Sequence, residues 1–336
     1  MAQPRACWLL LLALAAPACR TESGPGGPAA TSLGLSTLPP LTEVQPTGAA
    51  PAPPLPPPLA SGMTICDTFA APAAVGEVVS AELRETSGIA ASRAHRGVLW
   101  AHNDSGDAAA TYGLGTDGSD LGRFRLNNAS ALDWEDMAIG PGPVPGKDHL
   151  YLGDIGDNLR IRGDLTVYRI GEPEPGRPGD TVDGVETLRV TYGEADRGLD
   201  AEALAVDPVT GDLLVFTKGD GAGRSFVFRA ATSDLAVDVI TLLAPVTVLT
   251  LGENAEVTAA DFTVEGGILA LRGYGEVWMW LRTDVDLAVT LEAAPCLAPS
   301  PEEAQGEALA FAPDGSYYTI GEGARAPVHR VSPLAG

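Results

Sequence analysis

Glu202-Ala203-Leu204-Ala205-Val206-Asp207-Pro208-Val209-Thr210-Gly211-Asp212-Leu213-Leu214-Val215-Phe216 is the stretch from which the fold can be read. Ala203 and Ala205 alternate with Leu204 and Val206, the period-two pattern of a strand with one crowded side. Pro208 to Asp212 is built from turn residues, and Leu213 to Phe216 reads as the returning strand of a hairpin. The same cadence recurs along the chain. Ser87-Gly88-Ile89-Ala90 precedes Leu99-Trp100, and Glu135-Asp136-Met137-Ala138 precedes Leu150-Tyr151-Leu152. Glu307-Ala308-Leu309-Ala310 precedes Tyr317-Tyr318, and the weakest copy, Thr258-Ala259-Ala260-Asp261-Phe262, precedes Ile268-Leu269. The five starts lie 48, 67, 56 and 49 residues apart. A period near fifty in β-rich sequence is that of propeller blades of about four strands.

The intervening sequence agrees. No long helical periodicity occurs after the first residues. Short β-rich runs such as Leu165-Thr166-Val167-Tyr168-Arg169-Ile170 and Ser225-Phe226-Val227-Phe228 are separated by turn pairs such as Asp117-Gly118 and Asp314-Gly315. Small residues suit an innermost strand, where blades crowd around a central channel. The expected fold is therefore all-β: a single β-propeller with blades at 87–132, 133–198, 200–254, 257–300 and from 305 onward. The 67-residue interval leaves a sixth blade open, and a pair of β-sandwiches is the competing architecture. The last blade is one strand short, and Phe69 to Val79 is placed to supply it, closing the ring with an N-terminal strand. Cys66 would then lie beside Cys296 at the end of the fourth blade, and this even pair is expected to form a disulfide.

Three segments precede or make up this domain. Residues 1–18 carry one basic residue, Arg5, and an apolar run from Trp8 to Ala16, too short to span a bilayer and of signal-peptide length. Ala16-Pro17-Ala18 is a small-x-small cleavage site followed at once by Cys19, placed as the lipidated cysteine of bacterial lipoproteins is; Ala16 departs from the usual Leu, so ordinary secretion stays open. Residues 19–62 read as a Pro- and Ala-rich tether, as in Pro51-Ala52-Pro53-Pro54-Leu55-Pro56-Pro57-Pro58. Residues 63–336 are the propeller. The chain carries a formal net charge of −23, and its only lysines are Lys147 and Lys218. Such a surface repels phosphate backbones, which excludes nucleic acid as a partner and leaves the membrane in reach only through a lipid anchor. The expected location is the cell envelope or the medium, and the expected state a monomer.

The residues that open the inner strands ring one mouth of the channel. Glu135, Glu202 and Glu307 stand there with Ser87 and Thr258, flanked by Asp133, Asp136 and Asp200. Carboxylates gathered in a narrow space must be protonated, hydrated or bridged by a cation, and oxygen-only ligands suit Ca²⁺. The alternative is that they accept backbone N–H groups of the next blade and hold the ring together. A second acidic group lies on loops after the second strands: His102-Asn103-Asp104-Ser105-Gly106-Asp107, Gly153-Asp154-Ile155-Gly156-Asp157-Asn158, Lys218-Gly219-Asp220 and Glu322. Asp154 and Asp157 join Glu135, Glu202, Glu307 and Asp136 as candidate metal ligands, while plain turn chemistry is the alternative for each loop. His102 is the only histidine in such a loop and a candidate base or ligand. No G-x-S-x-G, HExxH or P-loop pattern occurs.

Thr86-Ser87-Gly88-Ile89-Ala90-Ala91-Ser92, Leu99 to Gly106, Asp133-Trp134-Glu135-Asp136-Met137-Ala138, Gly153 to Asn158 and Glu202 to Asp207 together resemble a family of secreted bacterial propellers. That family is distantly similar to the β-propeller phytases and to the "esterase-like activity of phytase" group, and the likeness covers most of residues 80–330. It implies a calcium-dependent phosphomonoesterase chemistry, with Asn103, Asn158 and Lys218 in loops equivalent to phosphate-site loops and Glu202 in the place of a calcium ligand. Asp104 and Ser105 stand where the phytases carry lysines, and only Arg160 and Arg162 follow Asn158. Three functions are therefore carried forward. One is a Ca²⁺-binding envelope propeller that takes a ligand or partner on its acidic face. Another is a metal-dependent phosphatase or esterase using His102, Asn103, Asn158, Arg160 and Lys218. The third is a non-catalytic scaffold.

Overall fold

The computed structural model of the protein describes residues 59, 61–177, 181–193 and 198–334. The expected signal peptide, Cys19 and nearly all of the expected tether lie outside the described residues. The domain is a five-bladed propeller. Blade one comprises Thr86–Ala91, Val98–Asn103, Ala110–Gly115 and Asp120–Leu126; blade two Trp134–Pro141, Asp148–Asp154, Leu165–Ile170 and Glu186–Thr191. Blade three comprises Ala201–Val206, Leu213–Thr217, Arg224–Ala230 and Ala244–Thr250; blade four Ala259–Phe262, Ile268–Arg272, Val277–Leu281 and Cys296–Ala298. Blade five takes Gly306–Phe311, Tyr317–Gly321 and Pro327–Val331 from the C-terminal end and Ala73–Glu77 from the N-terminal side.

The ring is thus closed by hydrogen bonds between residues far apart in the chain, Ala73 opposite Arg330 and Glu77 opposite Pro327. Just before that strand, Cys66 is bonded to Cys296 with their Cα atoms 6.0 Å apart. The bond ties the entry of the closing strand to the outer strand of blade four. A loop of this length constrains the unfolded chain by up to about 5 kcal/mol. It belongs to an oxidising, extracytoplasmic compartment. Among the described residues no helix is long and apolar enough to cross a membrane.

The long interval between the second and third repeats holds no sixth blade. It holds instead a connection whose residues Thr181–Val182 add a fifth, parallel strand to blade one, opposite Arg125 and Leu126. Blade three does the same for blade two, with Ile240–Leu242 running parallel to Arg189–Thr191. Each blade in this half of the ring is therefore strapped by its successor. The clusters between blades are apolar: Trp100, Phe124, Trp134 and Tyr168 fill the space between blades one and two, with Trp100 and Trp134 fully buried.

All five inner strands are buried on both sides. Four begin with a register break: between Thr86 and Gly88, Trp134 and Met137, Ala201 and Ala203, and Gly306 and Ala308. A bulge leaves a residue unpaired and re-aims its side chain. The residues released are Ser87, Glu135 with Asp136, Glu202 and Glu307.

Candidate functional site

Ser87, Glu135, Glu202 and Glu307 converge at the channel mouth, around a cavity of about 80 Å³. A second tier comes from the loop after the second strand of every blade: Asp104, Asn158, Lys218, Tyr274 and Glu322. Backbone hydrogen bonds hold this tier against the first, Asp104 N–H to Glu85 O at 2.8 Å, Lys218 N–H to Asp200 O at 3.0 Å and Glu322 N–H to Gln305 O at 3.0 Å. The hydroxyls in the first tier stitch neighbouring blades. Ser87 Oγ donates to Glu135 O, and Thr258 Oγ1 to Gly306 O and Glu307 O at 3.1 and 3.0 Å.

The carboxylates of the mouth are not equivalent. Lys218 Nζ donates to Glu202 Oε1 at 2.6 Å and stands 5.5 Å from the centre of the Tyr274 ring. Gln305 Nε2 donates to Glu307 Oε1 at 3.0 Å. Glu135 is only 5% exposed, and among the described residues its carboxyl group accepts no hydrogen bond. Carboxylate oxygens of Asp104, Asp133 and Glu135 lie within 4.8 Å of one another. Gly156 makes this approach possible: a Cβ there would collide with Glu135 Oε1 and lie 2.6 Å from Asp133 Oδ2.

Burial, followed by the charges of Glu202, Asp104, Asp133 and Asp200, raises the proton affinity of Glu135 far above that of an ordinary carboxyl. Burial raises Glu202 too, with Lys218 opposing it. Glu307 is pushed up to about 8 by burial, against the hydrogen bond from Gln305. Asp133 is raised by burial and by Asp104 and Asp200. The common cause is that close like charges in a poorly solvated space disfavour ionising together.

Other candidates stand elsewhere. Asp136, one residue past Glu135, turns into the channel floor. Its Oδ1 accepts Met137 N–H at 2.8 Å, and its Oδ2 accepts Leu204 N–H at 2.9 Å and Ala260 N–H at 3.0 Å. It joins the inner strands of blades two, three and four, so the interblade role expected of the Glu side chains falls to Asp136. Asp261 does the same for blades four and five through Phe262 N–H at 2.8 Å and Phe311 N–H at 2.7 Å. Asp154 accepts Leu132 and Asp133 N–H, each at 3.2 Å, and pairs with Arg162 at 2.8 Å, so it positions Asp133 and does not face the cavity. Asp157 accepts Ile161 and Arg162 N–H at 2.8 and 2.9 Å and shapes its own loop.

Of the five residues grouped for hydrolysis, Asn158 and Lys218 reach the cavity. His102 is fully buried between blades one and two against Trp134, with Nδ1 2.9 Å from Asn103 O. Its Nε2 faces the Asp136 carbonyl without closing a well-formed hydrogen bond, and burial lowers its pKa. Gly88 leaves it room, since a Cβ there would lie 2.5 Å from Nε2. Asn103 clamps the preceding loop, accepting Arg84 and Glu85 N–H at 2.9 and 3.0 Å and donating to Glu82 O at 2.9 Å. Arg160 is exposed and turns its backbone at φ 56°. Two cavity residues were not foreseen. Tyr274 follows the second strand of blade four, so the loop equivalence that picked out Lys218 also points to it. Gln305 carries no such signal.

No family model and no curated protein sequence matches the chain. Solved structures of similar architecture include the soluble aldose sugar dehydrogenase from Escherichia coli, 9% identical, covering 78% of this chain and 99% of that one at a TM-score of 0.46. A glucose dehydrogenase is 8% identical, covering 80% and 100% at 0.45, and the RRP9 WD40 repeats are 9% identical, covering 80% and 100% at 0.44. What defines the class is the chain's own sheet topology: it is an extracytoplasmic, disulfide-bonded β-propeller. The likeness to the phytases rests on motifs alone.

Proposed function

We propose that the channel mouth is a hard-cation site, Ca²⁺ being the ion best suited to it, and the ligand-binding end of an exported, lipid-anchored propeller. The observation that carries this reading is Glu135: a carboxyl group only 5% exposed, given no hydrogen-bond donor among the described residues, and standing with Asp104 and Asp133 so that their oxygens can share one ion. Burying such a group without a partner is costly, and a divalent cation offsets the cost as a proton does. All-oxygen donors favour Ca²⁺ over softer metals. Asn158, Tyr274 and the Lys218–Glu202 pair then form the wall against which a ligand would sit. The test is calorimetry and thermal melting of the full chain with CaCl₂ after EDTA treatment. Saturable heat and a raised Tm that both vanish in Glu135→Gln are expected; no heat and no shift at millimolar Ca²⁺ removes the metal.

A metal-dependent phosphatase or esterase is the second reading, favoured by Lys218 and Asn158 beside the carboxylates. It has to work without His102, whose burial keeps it from the cavity. Turnover of chromogenic esters that requires Ca²⁺ and falls in Lys218→Ala would favour it. Absence of turnover leaves a cation-dependent binding module.

A further inference from the structure

The face of the ring opposite the mouth has a different character between blades one and five. There the hairpin turns of blades one and five, 92–97 and 312–316, flank a cleft of about 540 Å³. In a chain of net charge −23, this cleft is lined by Arg93, Arg96 and Arg330 and by a single carboxylate, Asp314. Asp314 is already engaged: it pairs with Arg330 Nη2 at 2.7 Å and accepts the Ser316 N–H at 3.0 Å. Arg93 makes one long hydrogen bond, 3.5 Å to Phe311 O, and Arg96 makes no ion pair among the described residues. Neither guanidinium forms an ion pair among the described residues, although Arg93 lies near enough to the buried Asp261 to lower that group's pKa against the rise from burial.

The hairpin that presents them is held in place. Glu172, reaching across from blade two, accepts Arg93 N–H at 3.1 Å, Ala94 N–H at 2.9 Å and Trp100 Nε1–H at 2.8 Å, together with Ser92 Oγ–H. Its lone pairs are thereby spent on the backbone and on buried side chains, and it stiffens the turn that carries both arginines. Guanidinium groups offer paired N–H donors that match the oxygens of phosphate, and a stiffened turn leaves less backbone to order on binding than a mobile one. The cleft also has apolar lining from Ala94 on the same turn and from Ala312 and Pro313 of blade five.

We infer that this cleft is a second ligand site, distinct from the acidic mouth, and that it takes a small organic phosphate monoester: the dianion on Arg93 and Arg96, the organic group against Ala94, Ala312 and Pro313. The two arginines match the two charges of the ester, and the apolar lining matches its substituent. The site needs no metal, so it stands or falls separately from the cation site at the mouth.

The experiment is calorimetric titration of the full chain with phenyl phosphate and with inorganic phosphate, in EDTA and at fixed ionic strength. Saturable binding of phenyl phosphate is expected, tighter than that of inorganic phosphate. It should weaken by about tenfold or more in Arg93→Gln/Arg96→Gln and be unchanged in Arg125→Gln, which removes an equivalent charge elsewhere. Arg96→Gln alone, at an exposed side chain, is the variant that folds in any case, and it should show a smaller loss in the same direction. Co-sedimentation with phosphatidylglycerol vesicles separates a soluble ester from a lipid headgroup. The inference is overturned if phenyl phosphate gives no saturable heat, if its binding survives both arginine changes, or if only vesicles are bound.

Discussion

Glu135 and Asp136 are neighbours in one strand, both carboxylates, both buried, yet they belong to two different regions of the channel. On the floor, Asp136 is met by three backbone N–H groups from three blades. At the mouth, Glu135 is met by none and by several like charges. The difference teaches how to tell a structural carboxylate from a site. Donors aimed at a buried acid make it a joint of the fold; their absence leaves a group whose burial only an added proton or cation can offset. The bulge at the start of the strand produces both outcomes by turning adjacent side chains into different surroundings.

The sharpest way to break the comparison is Asp136→Ala. It strands the N–H groups of Met137, Leu204 and Ala260 in the ring's centre, so a loss of about 3–5 kcal/mol in denaturant unfolding is expected, with Asp136→Asn milder. If Asp136→Ala melts like the wild type, the floor is not the joint described here. Next in size, saturating Ca²⁺ at about a hundred times its Kd should stabilise the wild type by ~2.7 kcal/mol and Glu135→Gln not at all. In EDTA, Glu135→Gln should be as stable as the wild type or more so, since it removes no donor's partner. A marked loss of stability there would make Glu135 structural.

A smaller effect appears in the pH dependence. Glu307 has its folded-state pKa raised from 4.5 to about 8, so the folded protein holds a proton that the unfolded chain releases. Its contribution is complete below 4.5 and is lost as pH rises toward 8. Without Ca²⁺ the Tm should therefore fall across this range. Part of that fall should disappear with Ca²⁺ or in Glu307→Gln; the remainder reports the other raised carboxyls, Glu135, Glu202 and Asp133 at the mouth and Asp261, raised to about 6 by burial, on the floor. A Tm that rises over this range would contradict the charge state assigned to the mouth. The smallest effect expected is from Ser87→Ala, which removes one hydroxyl that donates to Glu135 O; about 1 kcal/mol lost, with the Ca²⁺ response kept, would place Ser87 among the stitching residues.

Much of this was legible in the chain. The repeat that begins at Ser87 and ends at Glu307 is written in small residues and turn pairs, and both follow from local sterics. Closure by Ala73–Glu77 and the pairing of Cys66 with Cys296 follow from counting strands and cysteines. The rest was not legible. The interval that left room for a sixth blade carries instead a strap onto blade one, because a two-residue parallel strand has no periodicity to detect. His102 sits among polar loop residues in sequence and yet is fully buried, since the side of the strand it occupies faces blade two. Asp154 and Asp157 look like ligands until their N–H donors are counted.

Sequence alone pointed to a propeller, to carboxylates at the start of three of its five inner strands, and to a pair of cysteines. These are periodic or countable properties. Only the tertiary structure decided which buried carboxyl is left without a donor, because that depends on the direction of N–H groups contributed by other blades. It also gathered Arg93 and Arg96 with Arg330, more than two hundred residues further along, into one cleft of an acidic protein. Burial and donor geometry belong to the closed ring, and no single blade contains them.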